Sequence, residues 1–194
     1  MDYDNDGWKD LLIAQGHDMD NIEVVSPQLR YREPILLARN AGGKFVDVSP
    51  ASGGVFHDAW VGRGLAIGDI DNDGRVDVVV STNGGAAHIL HNETATANHW
   101  ITLHLTGHKS NRDGIGAVVK LTTQTGSQWV TVSTTGSYLS ASDPRVHFGL
   151  GDSAVAAGIE IRWPSGIVQT LTDVKGDRQI QVDEPTQAAS SPAK

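Results

Sequence analysis

Two nine-residue windows share one form, D-x-D-N-D-G-x-x-D, and start 67 residues apart: Asp2-Tyr3-Asp4-Asn5-Asp6-Gly7-Trp8-Lys9-Asp10 and Asp69-Ile70-Asp71-Asn72-Asp73-Gly74-Arg75-Val76-Asp77. Side chains at positions one, three and five converge only if the backbone curls tightly, and glycine at position six permits that curl. Carboxylates gathered there repel one another unless a cation sits among them. An oxygen-only donor set selects a hard ion, and a flexible loop rich in carboxylates favours Ca²⁺ over Mg²⁺. The expected ligands are Asp2, Asp4, Asp6 and Asp10 with the Trp8 carbonyl, and Asp69, Asp71, Asp73 and Asp77 with the Arg75 carbonyl. An EF-hand would need a glutamate at position twelve, where Ile13 and Val80 stand instead. The competing reading is a pair of metal-free Asn/Asp-Gly hairpin turns. Identical spacing in matched surroundings favours calcium, in a structural role that ties a hairpin together.

Those surroundings repeat as well. Leu11-Leu12-Ile13-Ala14 follows the first window and Val78-Val79-Val80-Ser81 the second, short apolar runs that read as buried strands. Ile35 to Asn40 parallels His88 to Asn92, Lys44 to Val48 alternates as another strand, and Gly64 to Gly68 leads into the second window. One unit therefore reads as strand, acidic turn, strand, loop, strand, turn, strand, the pattern of a β-propeller blade or a similar array. Only Met1 precedes the first window, where the second has a strand. The expectation is an N-terminally incomplete repeat region over about 1–95, a fragment of a larger propeller protein.

Eight of the 23 acidic residues lie in the two windows, and the net charge of −8 argues against nucleic-acid or anionic-membrane binding. The absence of cysteine excludes disulfides, zinc–thiolate sites and cysteine nucleophiles. No apolar run reaches the length of a membrane span or has the form of a signal peptide.

The second half alternates apolar and polar residues over 100–105, 117–121, 129–132, 146–148, 159–161 and 180–182, the signature of a β-sandwich or jelly-roll-like domain. Residues 184–194, rich in Pro, Ala and Ser, read as a disordered tail. No catalytic set stands out. Ser137, Ser140, Ser142, Asp143 and His147 offer the residue types of a hydrolase triad without a Gly-x-Ser-x-Gly turn. His88 and His91, three apart on a strand, point to opposite faces and make a poor metal pair. Asn111-Arg112-Asp113-Gly114 reads as a solvated turn with an internal Arg–Asp pair, and Asn92-Glu93-Thr94 fits a glycosylation sequon. Trp8, Trp100 and Trp129 fall in strand patterns and are expected in the core. Trp60 and Trp163, beside Gly or Pro, are the candidates for an exposed sugar-stacking surface.

The acidic windows with their strands resemble the FG-GAP/VCBS repeats of integrin-α-like propellers. The stretches 98–105, 110–117, 136–151 and 161–166 resemble the ASPIC/UnbV domain, which follows such repeats in the cartilage acidic protein-like family. The resemblance runs from Asp2 to about Asp183. It implies a mainly β protein, partial propeller blades followed by a sandwich-like ASPIC/UnbV domain over 98–183, secreted or at the cell surface. The implied role is adhesion or recognition of an extracellular protein or glycan. The family's enediyne-cluster members imply an alternative, an enzyme or accessory protein of secondary metabolism; a carbohydrate-binding module is a third.

Overall fold

The computed structural model describes residues 1–186, and the chain is mainly β, as the alternation of its residues implies. The first half runs β1 (Leu11–Ile13), a helical turn α1 (Ile22–Val25), β2 (Glu33–Pro34), β3 (Leu36–Asn40), β4 (Phe45–Asp47), β5 (Ala59–Trp60), β6 (Gly62–Gly68), β7 (Asp77–Thr82) and β8 (His88–Leu90). Two antiparallel sheets, β1-β3-β4 and β6-β7-β8, carry the two repeats, and β2 pairs with β5 between them. In the second repeat Gly68 lies opposite Asp77 across the acidic loop. In the first, the Met1 carbonyl accepts the Asp10 N–H at 2.6 Å, which is the same register. The first repeat thus shows the second, third and fourth strands of the unit, and the second repeat shows the first three. Ile35, Trp60, Val78 and Val80 form the shared core, with Leu12, Leu65, Ile67 and Leu90 packed against it.

The second half is a two-sheet sandwich of β9 (His99–Thr106), β10 (Val118–Thr122), β11 (Ser127–Thr131), β12 (Val146–Gly151), β13 (Val155–Arg162), β14 (Val168–Lys175) and β15 (Arg178–Asp183). One sheet is β11-β10-β13-β14, the other β12-β9-β15 with β15 parallel to β9. Period-two alternation sends Ile101, Leu103, Leu105, Phe148 and Val182 of the smaller sheet against Val119, Leu121, Ile159 and Ile161 of the larger, all buried. β14 has no counterpart among the sequence-predicted strands. Its pattern is broken by Asp173, whose φ of 52° lets both Leu171 and Val174 reach the core.

Glu184, the first residue of the expected tail, is part of the fold. Glu184 is 1% exposed, and its amide donates to the Thr106 carbonyl at 2.8 Å, extending the β15–β9 pairing. Its carboxylate accepts the N–H groups of His108, Lys109 and Ser110 at 2.7–2.8 Å and the hydroxyls of Ser110 and Ser165. A carboxylate satisfied so fully is worth burying. Residues 187–194 of the expected tail lie outside the described residues.

Candidate metal centre

The two acidic loops fold alike, and their hydrogen bonds match except at the first aspartate, where Asp69 Oδ1 accepts the Asp73 amide at 3.1 Å and Asp2 Oδ1 accepts none. At position four Asn5 and Asn72 adopt left-handed backbone, with φ of 59° and 64°, followed by Gly7 and Gly74 at 90° and 87°. The first carboxylate of each loop accepts the position-six amide, Gly7 onto Asp2 and Gly74 onto Asp69, both at 3.0 Å. Trp8 and Arg75 enter through their main chains, each N–H donating at 2.8 Å to the carboxylate two residues earlier. The ninth residues clamp the strands. Asp10 takes the amides of Tyr3 and Asn40, and Asp77 those of Ile70 and Asn92.

Carboxylate oxygens of Asp2, Asp4 and Asp6 lie within 4.8 Å of one another, as do those of Asp69, Asp71 and Asp73. Asp77 joins Asp71 and His91 in a further grouping, whereas Asp10 belongs to none among the described residues. Asp2 is 1% exposed and its Oδ1 is buried without a hydrogen-bond partner. Burial pushes the Asp2 carboxyl up to about 6, the Lys9 charge and the Gly7 amide opposing this. Asp4 is raised by burial and by Asp6, and Asp69 by burial. Carboxyls still held up by burial despite the amides and basic groups around them, with the Asp2 Oδ1 unpartnered, fit a hard cation, the oxygen donors it requires being already convergent.

Two residues at these loops are absent from the sequence-predicted ligand sets. Arg39 bridges Asp4 and Asp6 at 2.9 and 3.0 Å, and His91 reaches Asp71 at 2.9 Å. They occupy matched places, each directly before the asparagine whose amide meets the ninth aspartate, so the internal repeat carried the signal that could have found them. Arg75 also pairs with Asp73. Asp71 is drawn below the ordinary carboxylate range because His91 and the Asp73 amide outweigh its burial, and His91 is raised chiefly by its bond to Asp71.

Several other expectations change. Trp163 is 3% exposed and Trp60 9%, whereas Trp8 and Trp129 are 51% and 53% exposed. Alternation identifies a strand without saying which of its faces is covered. Trp163 continues the inward set of Ile159 and Ile161, its indole N–H bonded to Gln169, while Trp129 sits on the outer face of β11 beneath Lys120 and Arg162. His88 stacks on Trp60 at 3.8 Å between ring centroids. The hydroxyls of Ser140 and Ser142 accept the Leu65 and Ile67 amides, covering the free edge of β6. His147 spends both ring nitrogens on Thr102 and Asn5, at 2.9 and 2.8 Å. Burial, then the charges of Lys9 and Arg145, lower it to about 3. It lines a cleft of about 400 Å³ between the first loop and the sandwich. The Asn92 side-chain amide is held by the Tyr3 and Val76 carbonyls, so the sequon asparagine is committed to the fold. The 111–114 turn is closed by Asn111, with no Arg112–Asp113 ion pair among the described residues.

Paired acidic hairpin loops on three-stranded sheets, followed by a two-sheet sandwich, define a repeat-plus-sandwich protein. Residues 2–80 match the family model described as FG-GAP-like repeat, and residues 107–189 the model described as ASPIC and UnbV. The first match falls on the repeat region and the second on most of the sandwich, in the same order along the chain as the two architectures. It is similar to cartilage acidic protein 1 of Xenopus tropicalis, 29% identical over 126 residues, which is 63% of this chain and 19% of that protein. The chain spans about a fifth of that relative's length.

Proposed function

We propose that the chain is a calcium-stabilised recognition module of an extracellular, adhesion-type protein. The observation that carries this is the buried, unpartnered Oδ1 of Asp2 within a convergent carboxylate triad whose fold the second loop repeats. Asp2, Asp4, Asp6 and Asp10 with the Trp8 carbonyl would hold one ion, and Asp69, Asp71, Asp73 and Asp77 with the Arg75 carbonyl the other. Calcium supplies positive charge there and no bond-making chemistry. Loops of this kind suit extracellular modules, where calcium is abundant. The partner is an extracellular protein or glycan; half-exposed Trp129, flanked by Lys120 and Arg162, offers an aromatic contact surface.

Calcium at a hundredfold excess over its dissociation constant stabilises by about 2.7 kcal/mol per site. EGTA is therefore expected to lower the melting temperature by several degrees, and the double change Asp71→Ala, Asp73→Ala to remove the second loop's share of that shift. A melt indifferent to EGTA and to added Ca²⁺ refutes the reading.

A further inference from the structure

The acidic loops also form the seat of the C-terminal sandwich. Their outward surface is built from the residues that the carboxylate clusters fold into place. Asn5, at position four of the first loop, donates to the Gly74 carbonyl of the second loop at 2.9 Å and meets His147 Nε2 at 2.8 Å. Asn72, at position four of the second loop, accepts from Arg145 at 2.6 Å and from Gln179 at 2.7 Å. Main-chain carbonyls of the same loops complete the contact: Asp69 accepts from Arg145 at 2.6 Å, Asp4 from Asn98 at 2.9 Å, and Asn5 from the Gly151 amide at 2.9 Å.

The packing is equally close. A Cβ on Gly74 would lie 1.9 Å from the Trp100 ring, and one on Gly149 would lie 2.3 Å from Asp2 Oδ2. Glycine is needed on both sides, in the loop and in the strand that covers it.

We propose that cation loading of the loops and seating of the ASPIC and UnbV domain are thermodynamically coupled, with the loops as the docking surface and the sandwich as its occupant. This rests on the calcium reading above. An ion that fixes Asp2, Asp4 and Asp6, or Asp69, Asp71 and Asp73, also fixes the asparagine and carbonyls interleaved with them. The effect must run both ways: a sandwich held in place pre-orders the loops and tightens their grip on the ion. Arg145 is thus a positioning residue for calcium: its guanidinium meets the loop at Asn72 Oδ1 and the Asp69 carbonyl and is itself held by Asp143.

The test uses the full chain, stripped of metal and titrated with Ca²⁺ by calorimetry, together with hydrogen exchange in Ca²⁺ and in EGTA. EGTA is expected to speed exchange across 143–151, which includes the Asp143 and Gly151 amides bonded to the repeat region, while the β13–β14 hairpin keeps its protection. Arg145→Ala is expected to weaken calcium binding about tenfold, within the range of measured couplings, and Lys175→Ala, an exposed charge at the end of β14, to leave it unchanged. If Ca²⁺ binds but exchange over 143–151 is the same in EGTA and Arg145→Ala binds as tightly as the parent, the coupling is wrong and the calcium reading stands. If no Ca²⁺ binds, both fall.

Discussion

Gly74 meets two demands at once: a φ of 87° and contact with the Trp100 ring. Gly42 has a comparable φ of 65°, but an added Cβ there meets nothing within 4 Å. Gly42→Ala should cost about 1 kcal/mol, the left-handed penalty alone. Gly74→Ala adds a clash and should cost on the order of 3 kcal/mol. Urea unfolding of the two variants separates strain from contact; equal losses would show that Trp100 does not press on the loop. The DNDG string announces the need for a tight turn at both windows, but the ring that makes Gly74 irreplaceable is 26 residues downstream, and no local pattern points to it.

Strands whose alternation is unbroken were legible, and the two acidic hairpins most of all, because a repeated pattern is its own control. β14 was missed where Asp173 shifts its facing, and the last strand's extension to Glu184 was hidden by the Pro- and Ala-rich composition that follows. Glu184 makes a pH prediction. Burial would raise its carboxyl, but the Ser165 hydroxyl and the amides of Ser110, Lys109 and His108 bring it down to about 2, below the ordinary value of 4.5. A depressed carboxyl contributes stability that is complete above its unfolded value and disappears as the pH falls from about 4.5 to about 2. Glu184→Gln should destabilise at neutral pH by roughly 2 kcal/mol, and its melting temperature should fall less steeply than the parent's over that acid range. Parallel acid limbs for parent and variant would remove Glu184 as the cause.

The repeat region and the sandwich are joined by more than the loops. The segment Ser140–Asp143 lies along β6, its hydroxyls taking the Leu65 and Ile67 amides and the Asp143 N–H returning a bond to the Ile67 carbonyl. An unpaired edge of this kind invites another chain. Ser140→Ala with Ser142→Ala should cost about 1–2 kcal/mol and promote self-association, seen as earlier elution in size-exclusion chromatography at rising concentration. Unchanged elution and stability would show that the edge is protected by other means. The sequence alone determined that this chain is mainly β and that it carries two equivalent carboxylate hairpins, because period, spacing and repetition are local quantities. Which tryptophans are buried, which basic side chains answer the carboxylates, and that the sandwich sits on the backs of the loops were decided by three-dimensional packing. Those outcomes depend on which faces meet, and Asn5 and His147, 142 positions apart, share a hydrogen bond only because two sheets bring them together.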